Sequence, residues 1–309
     1  DMNTPEGHCH DWMIHSDNPM ALENDYERRA QQRYILCILY QATNGDFWIN
    51  RNNWMDVERS ECEWHGIACD DNELIIEEID LSGNNITGPL PYEIGSLSNL
   101  KSLNIASNAL RGTIPERLFD VMTELKELRA YDNTMSGTLP TVWNTSDLIE
   151  LDLAGNLWTG VIPQELWDLT SLKTLFLNHC NLTGPLPSSS RNVKMHRLWL
   201  HSNSLTGSIP PNFGWNWTKL YSIKLNDNSL TGGISMEQCS QWEKMVPMED
   251  PTNGKEISLL SSESSGTIEP SEVKEWKLEA DCRIDCACCT NTNCASSDPD
   301  TDRSIGGRR

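Results

Sequence analysis

The sequence predicts an α/β solenoid of seven stacked repeats, with a parallel β-sheet along one face and a cysteine-rich cap at each end. Three observations predict it: a pattern of apolar residues recurs seven times between Ile76 and Ser235, the apolar positions in each copy alternate, and ten of the eleven cysteines lie outside the repeats. Repeats of twenty to thirty residues stack into one continuous core. We therefore expect an N-terminal cap over residues 1–75, repeats over residues 76–235 and a C-terminal cap over residues 236–309.

Each repeat follows the pattern L-x-x-L-x-L-x-x-N/C-x-L. Its x-L-x-L-x part alternates like a strand with one buried face, and stacking the copies buries each Leu or Ile for roughly 1.5 to 3 kcal/mol. The marker residue follows the strand, where its side chain can pair with backbone groups of a buried turn. The seven markers, 23 to 25 residues apart, are Asn84, Asn108, Asn133, Asn156, Cys180, Asn203 and Asn228.

The end of each repeat reads L-T-G-x-I/L-P, as in residues 86–91, 182–187 and 205–210. This ending resembles the plant-type extracellular leucine-rich repeats of receptor-like protein and receptor-like kinase ectodomains and of polygalacturonase inhibitors. The resemblance implies a right-handed solenoid with its parallel sheet on the concave face, a tight turn at the glycine, a short second strand and a role in extracellular recognition.

The N-terminal cap is predicted to contain a helix from Asp25 to Thr43, where apolar residues keep helical spacing. The segment from Cys62 to Cys69 resembles the closing motif of plant-type N-terminal caps, and the segment from Leu39 to Trp48 resembles caps of algal and microbial members of the family. Residues 1–24 are expected to form a polar arm tethered by a disulfide. A metal site at Cys9 and its neighbouring histidines is the alternative.

After Ser235 the repeat pattern ends. We interpret the Ser/Glu-rich residues 257–275 as a long loop and the segment from Cys282 to Cys294 as a disulfide knot that resembles C-terminal caps of algal members. A zinc cluster is the alternative for these cysteines. The aspartates at 298, 300 and 302 have the spacing of a calcium loop but lack its Gly and closing Glu, so we expect an acidic tail.

The cysteines and glycosylation motifs indicate an oxidising compartment. Ten cap cysteines can form five disulfides and leave Cys180 free. The expected disulfide cysteines are Cys9, Cys37, Cys62, Cys69, Cys239, Cys282, Cys286, Cys288, Cys289 and Cys294. The expected glycosylation sites are Asn85, Asn144, Asn181 and Asn216. Because the chain begins at Asp1 rather than Met, we also expect that a signal peptide or another segment preceded it.

Charge and missing motifs exclude several function classes. The formal net charge is −21, which argues against nucleic acid or an anionic membrane surface as partner. No apolar run approaches the roughly 20 residues that a membrane-spanning helix needs. Nucleophile-elbow, zinc-protease and phosphate-loop motifs are all missing from the sequence. We therefore expect neither an enzyme nor a bound cofactor or metal.

The outward positions of the repeat strands form two columns on the concave face. The first column is Asp80, Asn104, Arg129, Asp152, Phe176, Trp199 and Lys224, and the second is Ser82, Ala106, Tyr131, Ala154, Asn178, His201 and Asn226. The expected ligand-binding residues are Arg129, Tyr131, Asp152, Phe176, Asn178, Trp199, His201 and Lys224, because exposed aromatic and Arg side chains typify binding hot spots. The alternative is that the aromatic side chains only cover the sheet.

These observations favour a secreted or cell-surface recognition module whose partner is an extracellular protein, peptide or carbohydrate. A receptor-like or adhesion ectodomain is the first hypothesis. A secreted inhibitor of a wall-degrading enzyme and a structural matrix protein are the alternatives. A membrane-spanning helix encoded just past Arg309 favours the receptor, and a stop codon there favours the inhibitor.

Overall fold

The computed structural model describes residues 4–16, 26–116, 118–145, 147–220 and 222–234, together with the backbones of residues 256–259, 278–280 and 284–286. Within these residues the repeats form a leucine-rich-repeat solenoid, as the sequence predicts. None of the described helices has the length and apolar composition that crossing a bilayer requires.

Within the described residues the concave sheet has ten strands. Its first strand, Ile67–Cys69, is antiparallel to the second, and every later pair is parallel. The buried leucines of successive repeats are in register, so that Leu151 pairs with Leu128 on one side and with Leu175 on the other. The remaining strands are Ile76–Asp80, Ser102–Asn104, Glu127–Arg129, Glu150–Asp152, Thr174–Phe176, Arg197–Trp199, Ser222–Lys224, Glu256–Leu259 and Leu278–Ala280.

The L-T-G segments of successive repeats form a second sheet. The glycines of these segments have φ between 78° and 95°, a range that residues with a Cβ rarely adopt. A Cβ on Gly184 would also lie 2.6 Å from Cγ1 of Val161 in the preceding repeat. The strands are Thr87–Pro89, Ala109–Gly112, Thr134–Thr138, Leu157–Val161, Asn181–Gly184, Ser204–Ser208, Ser229–Ile234 and Ile284–Cys286.

Short helical segments connect the two sheets. A 3-10 helix spans Tyr92–Ser96, and short α-helices span Leu118–Val121 and Gln164–Trp167. Each places apolar side chains in the single core between the sheets, including Ile94, Phe119 and Trp167.

The marker side chains connect neighbouring repeats by hydrogen bonds. Asn108 Nδ2 donates to the carbonyl oxygen of Leu81 (2.9 Å), and its Oδ1 accepts from the N–H of Ile86 (2.9 Å). In the fifth repeat the Sγ of Cys180 donates to the carbonyl of Leu153 at 3.7 Å, and this cysteine is free. The residue before each marker has φ between 52° and 62°; these residues are Gly83, Ser107, Asp132, Gly155, His179, Ser202 and Asp227.

The described part of the N-terminal cap contains two α-helices, Pro5–His15 and Tyr26–Ala42. The second agrees with the predicted helix within one residue at each end and buries Leu36 and Leu39 in the core. The first helix lies in the expected polar arm, so the sequence interpretation missed it. Two shorter 3-10 helices span Gly45–Phe47 and Glu61–Glu63.

Two disulfide bonds cross-link the described part of this cap. The Cys9–Cys37 disulfide joins the two helices, and the Cys62–Cys69 disulfide closes the segment that ends with the first strand, Ile67–Cys69. Closing a loop of this kind stabilises the cap by restricting the unfolded chain.

The C-terminal part differs from the sequence interpretation. Ile257 pairs with Ile223 and with Leu278, so the concave sheet continues beyond the seventh repeat. The expected loop over residues 257–275 is therefore wrong for residues 257–259, which carry only an I-x-L fragment of the repeat pattern. Three of the predicted features lie outside the described residues: the Ser/Glu-rich remainder, the acidic tail and the side chains of the C-terminal cysteines. These cysteines are Cys239, Cys282, Cys286, Cys288, Cys289 and Cys294.

Candidate functional site

The parallel register aligns the first column across the concave sheet. Arg129, Asp152, Phe176, Trp199 and Lys224 are consecutive paired positions on neighbouring strands. Strand alternation turns these side chains away from the leucine core. The structure therefore brings the predicted residues of this column onto one surface.

Phe176 and Trp199 form a stacked pair at the centre of this surface. Their ring centroids are 4.2 Å apart at an interplanar angle of 22°. Nζ of Lys224 lies 4.2 Å from the Trp199 centroid, and the guanidinium of Arg197 lies 5.2 Å from the Phe176 centroid. Nε1 of Trp199 donates to Oγ of Ser222 at 2.8 Å, which fixes the indole.

Two predicted ligand-binding residues are more buried than expected. Phe176 is 8% exposed and Asn178 is 9% exposed, although both were expected on an exposed face. The ring of Trp199 and the side chain of Arg197 cover Phe176 from the neighbouring strand. Trp199 itself stays partly exposed, so it is the more accessible ring of the pair.

A cavity of about 270 Å³ opens beside the stacked rings. Five predicted site residues line it: Tyr131, Asp152, Phe176, Asn178 and Trp199. Its lining also includes four residues outside the expected ligand-binding set, which are Asp132, Ala154, Gly155 and His179. The cavity thus combines aromatic walls with two carboxylates.

Asp132 and His179 enter the cavity because each precedes a marker residue in a left-handed turn. The turn directs their side chains differently from those of the strand columns. Oδ1 of Asp132 lies 2.3 Å from the place where a Cβ on Gly155 would be. Any residue other than glycine at 155 would therefore clash with this carboxylate. The position before the marker is the sequence signal that could have identified both residues.

Three predicted site residues do not line the cavity. Arg129 is paired with Glu150 (2.7 Å) and with Glu127 (3.0 Å). Lys224 lies over Trp199. His201 packs edge-on against His179 with centroids 5.0 Å apart.

Burial shifts the protonation of His201. It lowers the pKa of this imidazole to about 4, and the nearby His179 and Lys224 act in the same direction. The ring is therefore neutral at neutral pH. Its Nδ1 is buried without a hydrogen-bond partner among the described residues.

Asp152 has the opposite shift. Burial raises the pKa of its carboxyl from 3.8 to about 6, although the N–H of Ala154 donates to its Oδ1 at 3.1 Å. The negative charges of Glu150 and Asp132 raise the pKa further, and the positive charge of Arg129 lowers it.

This shift predicts a pH-dependent stability. The folded protein binds the Asp152 proton more tightly than the unfolded chain does, so this contribution to stability is complete below pH 3.8 and is lost as pH rises through 6. We expect the melting temperature of Asp152→Asn to rise relative to wild type between about pH 4 and about pH 7. Thermal unfolding of both proteins across this range measures it, and a difference that does not change with pH would contradict the shift.

The expected glycosylation sites all have exposed side chains: Asn85, Asn144, Asn181 and Asn216. Nδ2 of Asn85 donates to the carbonyl of Phe47 at 2.9 Å, and Nδ2 of Asn144 donates to Oδ1 of Asp120 at 3.0 Å. Among the described residues, no group of three His, Cys, Asp or Glu side chains is placed to hold a metal ion.

Comparison with known proteins supports the repeat assignment. The Leucine Rich Repeat family model matches residues 76–97, 99–120, 171–193 and 194–216. Phytosulfokine receptor 1 of Arabidopsis thaliana is 32% identical over 168 residues, which make up 53% of this chain and 16% of that receptor.

Two solved structures share the fold. One is the LRR ectodomain of the plant membrane receptor kinase GASSHO1/SCHENGEN3 from Arabidopsis thaliana in complex with CASPARIAN STRIP INTEGRITY FACTOR 2. It has a TM-score of 0.59 and 31% identity, and the match covers 62% of this chain and 23% of that one. The other, PEPR1–AtPEP1, has a TM-score of 0.60 and 26% identity, and the match covers 74% of this chain and 31% of that one.

The chain thus spans less than a third of the length of each of these relatives. It shares the repeat pattern with the phytosulfokine receptor and the fold with the two solved structures. This chain carries leucine-rich repeats and is similar to the repeat-bearing ectodomains of plant receptor-like proteins and receptor kinases.

Proposed function

We propose that the protein is an extracellular recognition module, a receptor-like ectodomain that binds a peptide or a peptide-like segment of a protein on its concave face. The observation that carries the proposal is the aromatic pair Phe176 and Trp199 beside an open cavity in the middle of the concave sheet. Trp, Tyr and Arg are the side chains on which binding free energy is concentrated in protein interfaces.

The dimensions of the face fit an extended peptide. The seven residues of the first column lie on adjacent strands, and a strand spacing of 4.7 to 4.9 Å gives the column a length of about 29 Å. An extended chain advances by about 3.3 to 3.6 Å per residue, so about eight or nine residues would span the column.

Two similar structures support a peptide as the class of ligand. The ectodomain of GASSHO1/SCHENGEN3 was solved with CASPARIAN STRIP INTEGRITY FACTOR 2, and PEPR1 was solved with AtPEP1. The two cap disulfides of the N-terminal part agree with an oxidising, extracellular setting.

The double variant Phe176→Ala/Trp199→Ala tests the proposal. Peptides are first selected from a random display library on the wild-type protein, and the tightest is synthesised. We expect its affinity to fall by about a hundredfold or more in the variant, because two truncated hot-spot anchors together cost more than about 3 kcal/mol. Neither side chain belongs to the core between the sheets, so the variant should still fold.

The matched control is Glu165→Lys, an exposed position on the connecting helix Gln164–Trp167, which is not part of the concave sheet or of either strand column. It should bind the peptide as wild type does. Calorimetric titration measures the affinities, and circular dichroism confirms folding. A selected peptide that binds wild type and double variant equally would place the site elsewhere on the protein.

A further inference from the structure

We propose that the cavity beside Phe176 and Trp199 binds the guanidinium group of an arginine side chain of the ligand. The inference rests on the proposed function, because it names the chemistry of one contact made by a peptide on the concave face. The cavity volume of about 270 Å³ is close to the lower limit of small-molecule pockets, roughly 300 Å³. It therefore suits a single side chain rather than a whole ligand.

The charged groups of the cavity are acidic. Asp132 and Asp152 line it, and none of the ion pairs found between described residues involves either carboxylate. Arg129 is next to Asp152 in the first column, but Glu150 and Glu127 already bind its guanidinium. A ligand cation would thus meet two carboxylates that the protein does not itself neutralise.

Asn178 is an independent indication of a ligand. It lines the cavity and is only 9% exposed, and its Oδ1 is buried with no hydrogen-bond partner among the described residues. Leaving a buried acceptor unpaired is unfavourable until a donor reaches it. A guanidinium offers five N–H donors and no acceptor, which matches a lining of two carboxylates and an amide side chain whose oxygen lacks a donor.

The walls of the cavity also favour a cation. Tyr131 and Phe176 are aromatic, and the face of an aromatic ring attracts a cation within about 6 Å of its centroid. Trp199 offers its edge rather than a face, because Phe176 stacks on one side of its ring and Lys224 lies over the other. The protein already uses this contact nearby, since Lys224 lies over Trp199 and Arg197 lies over Phe176. Neither of these two cations is part of the cavity lining.

Two small probes test the inference on the intact protein. N-acetyl-L-arginine methylamide carries the charge, and N-acetyl-L-citrulline methylamide is its uncharged analogue of nearly the same shape. The indole N–H resonance of Trp199 is followed by NMR during titration. We expect the arginine probe to bind about tenfold more tightly than the citrulline probe, because charge-assisted hydrogen bonds are roughly twice as strong as neutral ones.

The double variant Asp132→Asn/Asp152→Asn should abolish this preference. The control Glu58→Gln/Asp71→Asn removes the same charge at exposed positions outside the cavity and should keep it. Equal binding of the two probes to wild type, no binding of the arginine probe, or a preference that survives in the Asp132/Asp152 variant would overturn the inference. The library peptides separate this result from the proposed function: if they still lose affinity in Phe176→Ala/Trp199→Ala, the concave face binds peptides and only the guanidinium contact is wrong.

Discussion

Replacing Leu151 by aspartate is expected to unfold the repeats, whereas replacing the next residue, Asp152, by leucine should leave them folded. Leu151 is fully buried between Leu128 and Leu175 in the leucine column. An aspartate there has no cation to pair with in the apolar core, and we expect a loss of more than about 4 kcal/mol, at the extreme of single substitutions. The whole stability of a domain is typically only about 5 to 15 kcal/mol.

Asp152→Leu is the matched control because it changes the adjacent position by the reverse substitution. It removes the acceptor for the N–H of Ala154, a loss of about 1 kcal/mol. It also removes a carboxyl whose pKa is raised by burial. Urea unfolding followed by tryptophan fluorescence measures both variants. Equal losses would mean that the strand register is displaced by one residue, which would also move the binding columns to the other face.

The repeat pattern allowed the concave columns to be predicted because side chains alternate strictly along a strand. Alternation tells which face a side chain is on, but it does not tell how the neighbouring strand covers that side chain. Phe176 points outward as predicted, yet the ring of Trp199 stacks on it and leaves it 8% exposed. Exposure depends on contacts between residues 23 positions apart, and the pattern of one repeat does not contain them.

The cavity could be predicted only in part for a similar reason. Asp132 and His179 lie outside the alternating part of the repeat, in left-handed turns before the marker residues. Their direction depends on a left-handed backbone conformation that residues other than glycine rarely adopt, so their own side chains do not indicate it and only the shared position before a marker residue could have done so.

The helix Pro5–His15 has start signals that the sequence analysis did not use. Oγ1 of Thr4 accepts a hydrogen bond from the N–H of Gly7 at 3.2 Å, Pro5 opens the helix and Glu6 is in its first turn. Apolar periodicity, the signal used for the second helix, is nearly missing here because Cys9 is the buried residue of this short helix. Its disulfide to Cys37 of the second helix is a tertiary contact that periodicity does not show.

The N-terminal cap contains a buried ionic cluster around Glu61 that the sequence analysis also missed. The carboxylate of Glu61 is fully buried. It accepts hydrogen bonds from Nε and Nη2 of Arg29 (3.2 and 2.9 Å) and from Nε2 of Gln32 (3.2 Å). Nη1 of Arg33 lies 3.5 Å from it. One acidic side chain thus holds three residues of the second helix against the cap loop.

The buried charge of Arg33 makes the stability of this cluster depend on the Glu61 carboxylate. Its side chain is fully buried, and its guanidinium lies 5.5 Å from the ring of Trp12 and 5.0 Å from the ring of Trp64. Removing one partner of a buried ion pair leaves the other charge uncompensated, which typically costs about 3 to 5 kcal/mol.

We therefore expect Glu61→Ala to destabilise the cap by about 3 to 5 kcal/mol, while Glu58→Ala, an exposed acidic side chain of the same loop, changes stability by less than about 0.5 kcal/mol. Urea unfolding followed by the fluorescence of the cap tryptophans measures both, and a double-mutant cycle with Arg29→Ala isolates the pair. A coupling free energy within experimental error of zero would show that the Arg29–Glu61 pair does not contribute to the stability of the cap. A coupling of about 1 kcal/mol or more would show that the ionic hydrogen bonds hold the helix Tyr26–Ala42 over the first repeat, because in contacting pairs such couplings reach about 3 kcal/mol.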